Sequence, residues 1–240
     1  MENVKKIWRG NEIAIRDDLM SFQQGLIDDF MAGHSTLEEA VMAQCDDCIN
    51  RDMYSEEWYE SSKHQVTHQN SVTRQWESGL SWWKGVMIRT YIKGGDGQEP
   101  VDMTIDEEGA KRYPTMMKLL EKYFDKCYGL VYGVMGPRTI LHRHLAPENV
   151  EGLYVRIHIP LIVPKGDLFL ECHGEEVTWD DLYGFNNQHL HSAHNLSDEW
   201  RLVAIIDIDR EHAGLPKGTY HNEDGAEHFK NFTRGWIGAK

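Results

Sequence analysis

Cysteine is scarce. The 240-residue chain has four, Cys45, Cys48, Cys127 and Cys172, too few and too scattered for a disulfide framework in a chain of this length. They are expected reduced, in a cytoplasm. Cys45 and Cys48 have the spacing of half a zinc site, but no second C-x-x-C follows, and the His64 and His68 pair sits in a polar stretch where such spacing more often binds no metal, so two thiols on one helix is the plainer reading. Basic residues are also short: 25 Lys and Arg against 39 Asp and Glu leave a formal charge of -14. Such a surface repels phosphate backbones and anionic lipid heads, which argues against nucleic acid and membranes as partners. No apolar run approaches membrane-spanning length, and the charged first ten residues have no apolar segment behind them. A soluble, non-secreted protein is expected. Internal repeats and low-complexity segments are missing as well.

With 40% hydrophobic residues the chain can bury a sizeable core, and one mainly β domain with helical additions is expected over 1–240. Leu19, Phe22, Leu26 and Phe30 recur at helical spacing, predicting one amphipathic helix over 13–31. A capping-box pattern at Ser35 and Glu38 predicts a second helix through Ala40, Val41 and Gln44. Residues 82–92 turn strand-like, and Pro114 suits the first turn of a helix that continues through Met117, Leu120, Tyr123 and Phe124. From there, short β-branched or aromatic runs at 130–135, 155–163, 167–171 and 202–209 are separated by Gly, Pro and Asn, as in a sandwich or barrel. The expected division is a helical N-terminal extension over 1–80, a β core over 82–210 and a C-terminal tail over 211–240.

The chemistry follows from strand alternation. Arg156 and His158 share one face of a strand, and Arg201 shares a face with Val203 and Ile205. Charged side chains directed into an apolar interior are costly unless paired. Two such arginines suggest a small dicarboxylate ligand; the alternative is that one of them pairs with Asp207, Asp209 or Glu171. Histidine-bearing strand ends at 139–149 and 191–201 lie on either side of these strands in the chain.

Four stretches in this order, VMGPRTILHRHLAPEN (134–149), RIHIPLIVPKG (156–166), GEEVTW (174–179) and HSAHNLSDEWR (191–201), resemble the aspartyl/asparaginyl β-hydroxylase family of iron(II) and 2-oxoglutarate-dependent oxygenases. They are also similar to the related bacterial proline hydroxylases. The likeness runs over about 82–210. It implies a double-stranded β-helix (a cupin-like jelly roll) with N-terminal and flanking helices, and Fe(II), 2-oxoglutarate and O2 as cofactor and cosubstrates. Succinate and CO2 would be co-products, and a small molecule or peptide side chain would be hydroxylated. Carried over, the iron histidines fall on His144 and His191, with His142 as the alternative ligand. Arg201 matches the arginine for the far carboxylate of 2-oxoglutarate, Arg156 and His158 match the R-x-H pair that also contacts it, and Met135 and Gly133 match positions that approach it.

Three features depart from the family pattern. Three extra residues separate His144 from Arg156, and Arg138 replaces a usual glycine. Ala146 stands where many non-haem iron sites place a carboxylate ligand two residues after the first histidine. Animal members of the family also lack that acid and still hydroxylate. In another branch of the superfamily, chloride fills the open iron position and the product is chlorinated. Halogenation is therefore the second expectation, and a non-catalytic metal-binding jelly roll the third.

Overall fold

The computed structural model describes residues 7–44, 66–69, 76–79, 83–92, 100–137, 139–144, 152–172, 174–189 and 191–216; for 42, 66–69, 76–79, 83–84, 92, 139–140 and 142–144 it describes the backbone alone. Strand β1 (Ile7–Arg9) is followed by helices α1 (Arg16–Met20), α2 (Gln23–Met31) and α3 (Leu37–Ala43). Strands β2 (Val66–Gln69) and β3 (Trp76–Gly79) pair with each other, then come β4 (Trp83–Ile92), β5 (Val101–Thr104), α4 (Glu107–Arg112) and α5 (Pro114–Tyr123). Eight strands complete the described chain: β6 (Cys127–Met135), β7 (Thr139–His144), β8 (Tyr154–Ile162), β9 (Leu168–Cys172), β10 (Glu175–Val177), β11 (Tyr183–Phe185), β12 (His191–Asn195) and β13 (Arg201–Asp209).

Those eight strands divide four and four between two antiparallel sheets, changing sheet at each step except from β9 to β10. The larger has the order β1-β11-β8-β13-β6-β4-β5 and the smaller β10-β9-β12-β7. In each sheet a later strand returns to lie between two earlier ones, β13 between β8 and β6, and β12 between β9 and β7. This interleaving is the double-stranded β-helix, as expected.

β13 shows how the sequence builds both sides of the large sheet. Leu202, Ala204, Ile206 and Ile208 enter one apolar cluster with Ile157, Ile159, Tyr132, Leu26, Phe30 and Met116, which is the core under the helices. Val203 and Ile205 enter a second cluster with Met135, Leu170, Trp179, Tyr183 and Phe185, which is the barrel interior. Period-two alternation thus sorts one uninterrupted buried strand between two cores.

The helices are fastened to the sheet by polar contacts. Tyr132 Oη donates to the Leu26 carbonyl at 3.0 Å, and Gln23 Nε2 to the Pro160 carbonyl at 2.6 Å. Gln44 bridges the Phe30 carbonyl, at 2.8 Å, and the Tyr113 hydroxyl, at 2.6 Å. Pro114 opens α5 as expected. The carboxylate of Asp29, from α2, caps that helix by accepting from Thr115 N at 2.6 Å, Thr115 Oγ1 at 3.2 Å and Met116 N at 3.4 Å. Burial raises the Asp29 carboxyl above its usual range despite these bonds.

Local details differ from the sequence reading. The single helix expected over 13–31 is broken between α1 and α2, where Ser21 Oγ bonds the Asp18 carbonyl at 2.6 Å and Ser21 N is shared between the Asp17 and Asp18 carbonyls. The capping box is one residue later than expected. Glu39 N donates to Thr36 Oγ1 at 3.2 Å, and Glu39 Oε2 accepts from Thr36 N at 3.2 Å. The N-terminal part is not purely helical, because β1 pairs with β11 at the edge of the large sheet. No described helix is long and apolar enough to cross a membrane. Cys45 and Cys48 lie outside the described residues.

The α5 cap gives a stability prediction. Asp29→Ala should lower unfolding free energy by about 1–2 kcal/mol, measured by urea denaturation, and Asp29→Asn, which keeps an acceptor, should lose less.

Candidate active site inside the barrel

Three strands of the large sheet bring the charged positions into the interior. Arg156 and His158 on β8 lie opposite Asp207 and Ile205 of β13, and on their other side opposite Phe185 and Tyr183 of β11. Arg201 begins β13 opposite Met135 of β6. The rows therefore run along the barrel from Arg156 and Asp207, through His158 and Tyr183, to Arg201 and Met135.

Arg201 is 1% exposed, and among the described residues its Nε and Nη1 have no hydrogen-bond partner. Its guanidinium carbon sits 4.3 Å from the centroid of the Trp179 ring. Burial pushes its pKa down to about 10, so the group stays cationic at neutral pH. A ring face attracts the cation but cannot accept the in-plane N–H bonds. A carboxylate or similar anion can accept them.

Arg156 has a different fate. Its Nε and Nη2 donate to the two Asp207 carboxylate oxygens, each at 2.7 Å. The expectation that it pairs with a cosubstrate carboxylate is corrected to this extent: its charge is already met within the protein, by one of the three acids named as alternatives. Gly129 makes room for the pair, since a Cβ there would come within 2.8 Å of Asp207 Oδ2.

His158 is buried among Trp179, Tyr183 and Phe185. Burial, then the positive charges of Arg201 and Arg156 and the nearby His191, hold its pKa well below the ordinary range. The ring is neutral. Its Nδ1 accepts from Trp179 Nε1 at 3.2 Å and lies 2.9 Å from the Tyr183 hydroxyl.

His191, 3% exposed, lies on β12 opposite Cys172 on one side and residue 144 on the other. Its Nδ1 is 2.8 Å from the His189 carbonyl. A carbonyl can only accept, so Nδ1 carries the proton and Nε2 keeps the lone pair that a metal needs. The Phe185 ring meets it edge-on at 5.0 Å. Among the described residues no three His, Cys, Asp or Glu side chains gather as a metal set, and His191 is the candidate ligand whose side chain is described.

The backbone of β7 bears on the other ligand. Leu141 lies opposite Ala193 and His144 opposite His191, so three steps on β7 match two on β12. That is a β-bulge, and it changes which face the strand presents. Without it, residue 143 would share the face of Leu141, which packs into the barrel cluster. With it, residue 144 is the one that pairs with His191 in the ladder. The side chains of His142 and His144 are outside the description, as is Ala146 altogether.

Met135 is fully buried and lies opposite Arg201 in the ladder. Gly133 is explained by packing: a Cβ there would meet Ile205 Cδ1 at 2.8 Å. The sequence reading missed Trp179, Tyr183 and the His189 carbonyl. Trp179 ends one of the four motif stretches, a signal that was available. Tyr183 alternates with Phe185 on a three-residue strand, too short a run to show its period.

Removing the acid should break the bidentate pair and take the Asp207 charge away from Arg156. Asp207→Ala should cost about 2–4 kcal/mol in urea unfolding, and a loss below about 0.5 kcal/mol would mean that Arg156 finds another anion.

The family model described as Aspartyl/Asparaginyl beta-hydroxylase matches residues 44–211. The mouse and human aspartyl/asparaginyl beta-hydroxylases are each 28% identical to this chain over 110 residues, covering 43% of this chain and 14% of those proteins. The match thus spans a small part of these curated relatives. Among solved structures, an oxidoreductase of the 2OG-Fe(II) oxygenase family from Burkholderia pseudomallei superposes with a TM-score of 0.38 at 13% identity, over 57% of this chain and 71% of that one. A cupin 2 conserved barrel domain protein from Salinispora arenicola gives 0.26 at 16% identity, over 36% and 66%. Likenesses this remote carry no argument about ligands or chemistry. The family match does not depend on them: it takes in more than half of the chain, including all four motif stretches and every strand from β6 to β13, and by it the chain belongs to the aspartyl/asparaginyl β-hydroxylase family.

Proposed function

We propose that this chain is an iron(II) and 2-oxoglutarate-dependent oxygenase that hydroxylates a C–H bond of an amino acid, a peptide side chain or a related small molecule. The observation that carries the reading is the buried Arg201 guanidinium, two of whose nitrogens lack a partner among the described residues. It fits the far carboxylate of 2-oxoglutarate, which can accept two parallel N–H bonds. His191, with its proton held on Nδ1 by the His189 carbonyl, fits a metal through Nε2. His144, opposite it across the sheet, is the second ligand of this reading.

Iron(II) held there would supply the oxidative chemistry, in which O2 and 2-oxoglutarate yield succinate, CO2 and one oxygen atom inserted into the substrate C–H bond. The protein's own contribution is binding and exclusion. Arg201 anchors the dicarboxylate, and neutral His158 adds a donor without adding charge. Met135, Leu170, Phe185, Val203 and Ile205 line the interior with apolar groups that exclude water. In this setting a charge-assisted hydrogen bond is stronger than in solvent. Free, buried Cys127 and Cys172 and the acidic balance of the chain support a reducing, cytoplasmic setting and a substrate other than nucleic acid.

The test is turnover of the iron-loaded chain with 2-oxoglutarate and a panel of amino acids and peptides, with and without chloride. Succinate together with a product heavier by one oxygen supports the proposal. A chlorinated product would replace hydroxylation by halogenation at the position left open by Ala146. Arg201→Lys should raise the 2-oxoglutarate requirement about tenfold or more, because a point-charge ammonium cannot reproduce the planar fork. His191→Ala and His144→Ala should abolish iron binding while His142→Ala retains it, read by metal analysis after dialysis; the reverse for the last two would move the ligand to His142.

A further inference from the structure

Trp179 touches both donors of the anion site. It follows β10, is 2% exposed, and carries the Arg201 guanidinium on its ring face at 4.3 Å while its Nε1 lies 3.2 Å from His158 Nδ1. An indole N–H only donates, so His158 Nδ1 must accept, and the neutral ring then keeps its proton on Nε2. The Tyr183 hydroxyl, 2.9 Å from the same nitrogen, suits either tautomer, since it can donate to a bare Nδ1 or accept from a protonated one. Trp179 therefore decides between them. With the proton on Nδ1, the buried indole N–H would lose its acceptor, an arrangement that folded proteins avoid. No described residue bonds His158 Nε2, which leaves that N–H open in the same interior as the unpaired nitrogens of Arg201.

We infer that Trp179 is the positioning residue of the buried anion site: its N–H holds His158 as an Nε2–H donor, and its ring face holds the Arg201 guanidinium. Both donors are then preset before the anion arrives, so binding does not have to reorganise them. The inference rests on the proposed function for the identity of the anion, 2-oxoglutarate, but not for the tautomer.

Two measurements on the full chain test it. Nitrogen-15 spectra of histidine-labelled, metal-free protein report which ring nitrogen of His158 is protonated, and the Nε2–H signature should persist across about pH 6–8. Calorimetric titration of the iron-loaded protein with 2-oxoglutarate, under anaerobic conditions, should show Kd raised about tenfold in Trp179→Phe, with the ring now sampling both tautomers. Tyr183→Phe, the control, should keep the Nε2–H tautomer. An Nδ1–H signature in the wild type overturns the inference, as does a Trp179→Phe chain with unchanged tautomer and Kd. Should Trp179→Phe not fold, the wild-type and Tyr183→Phe spectra decide: loss of the Nε2–H signature in Tyr183→Phe would give the positioning role to Tyr183. A wild type that shows Nε2–H but binds no 2-oxoglutarate overturns the proposed cosubstrate and supports the tautomer role of Trp179.

Discussion

An arginine that is 1% exposed, with two nitrogens unbonded among the described residues, has lost its hydration without gaining a counter-charge from any of those residues. Desolvating an ion costs several kcal/mol even after the protein relaxes around it, and the surrounding structure has to offset that. Arg201 begins β13, which is hydrogen-bonded on both sides, to β8 and to β6. Its neighbours on the interior face are Val203 and Ile205, and the opposite face is locked into the helix-covered core by Leu202 and Ala204. Packing on both faces of one strand thus stabilises a group that is destabilising by itself, as functional sites commonly require.

The contrast with Arg156 shows what decides the fate of an interior arginine. Both are directed into the barrel by the same alternation. Arg156 lies opposite an aspartate, whereas Arg201 lies opposite Met135. The difference is one of register, and register belongs to a pair of strands rather than to either alone. Asp207 could therefore be named from the sequence as one of three candidate partners, but its choice over Asp209 and Glu171 needed the ladder.

The same limit explains what else was legible. β8 and β13 could be read directly, because long β-branched runs bounded by turn residues have few alternatives. β1 could not: Ile7–Arg9 is a strand only because β11 offers an edge. The bulge in β7 was also invisible, although it sets residue 144 opposite His191, because it exists only relative to β12. The His189 carbonyl that orients His191 is a backbone atom, and every residue has one. Side-chain chemistry was readable where motif and periodicity agreed; backbone partners and strand-pair register were not.

These placements give the interior a polarity. At one end the Arg156–Asp207 pair is neutral, with Phe185 beside it and against His191. In the middle His158 is held uncharged by burial and by its cationic neighbours. At the other end Arg201 leaves a positive charge with no opposing carboxylate in contact among the described residues. A metal at His191 would place a second positive centre at the first end, so an elongated dianion between them would meet cations at both ends and neutral donors and apolar walls along its length. A monoanion would satisfy only one end, and a third negative group would meet no further cation among these residues. On the proposed reading, selection for a dicarboxylate, and its orientation in the barrel, follow from which arginine is paired and which is left open.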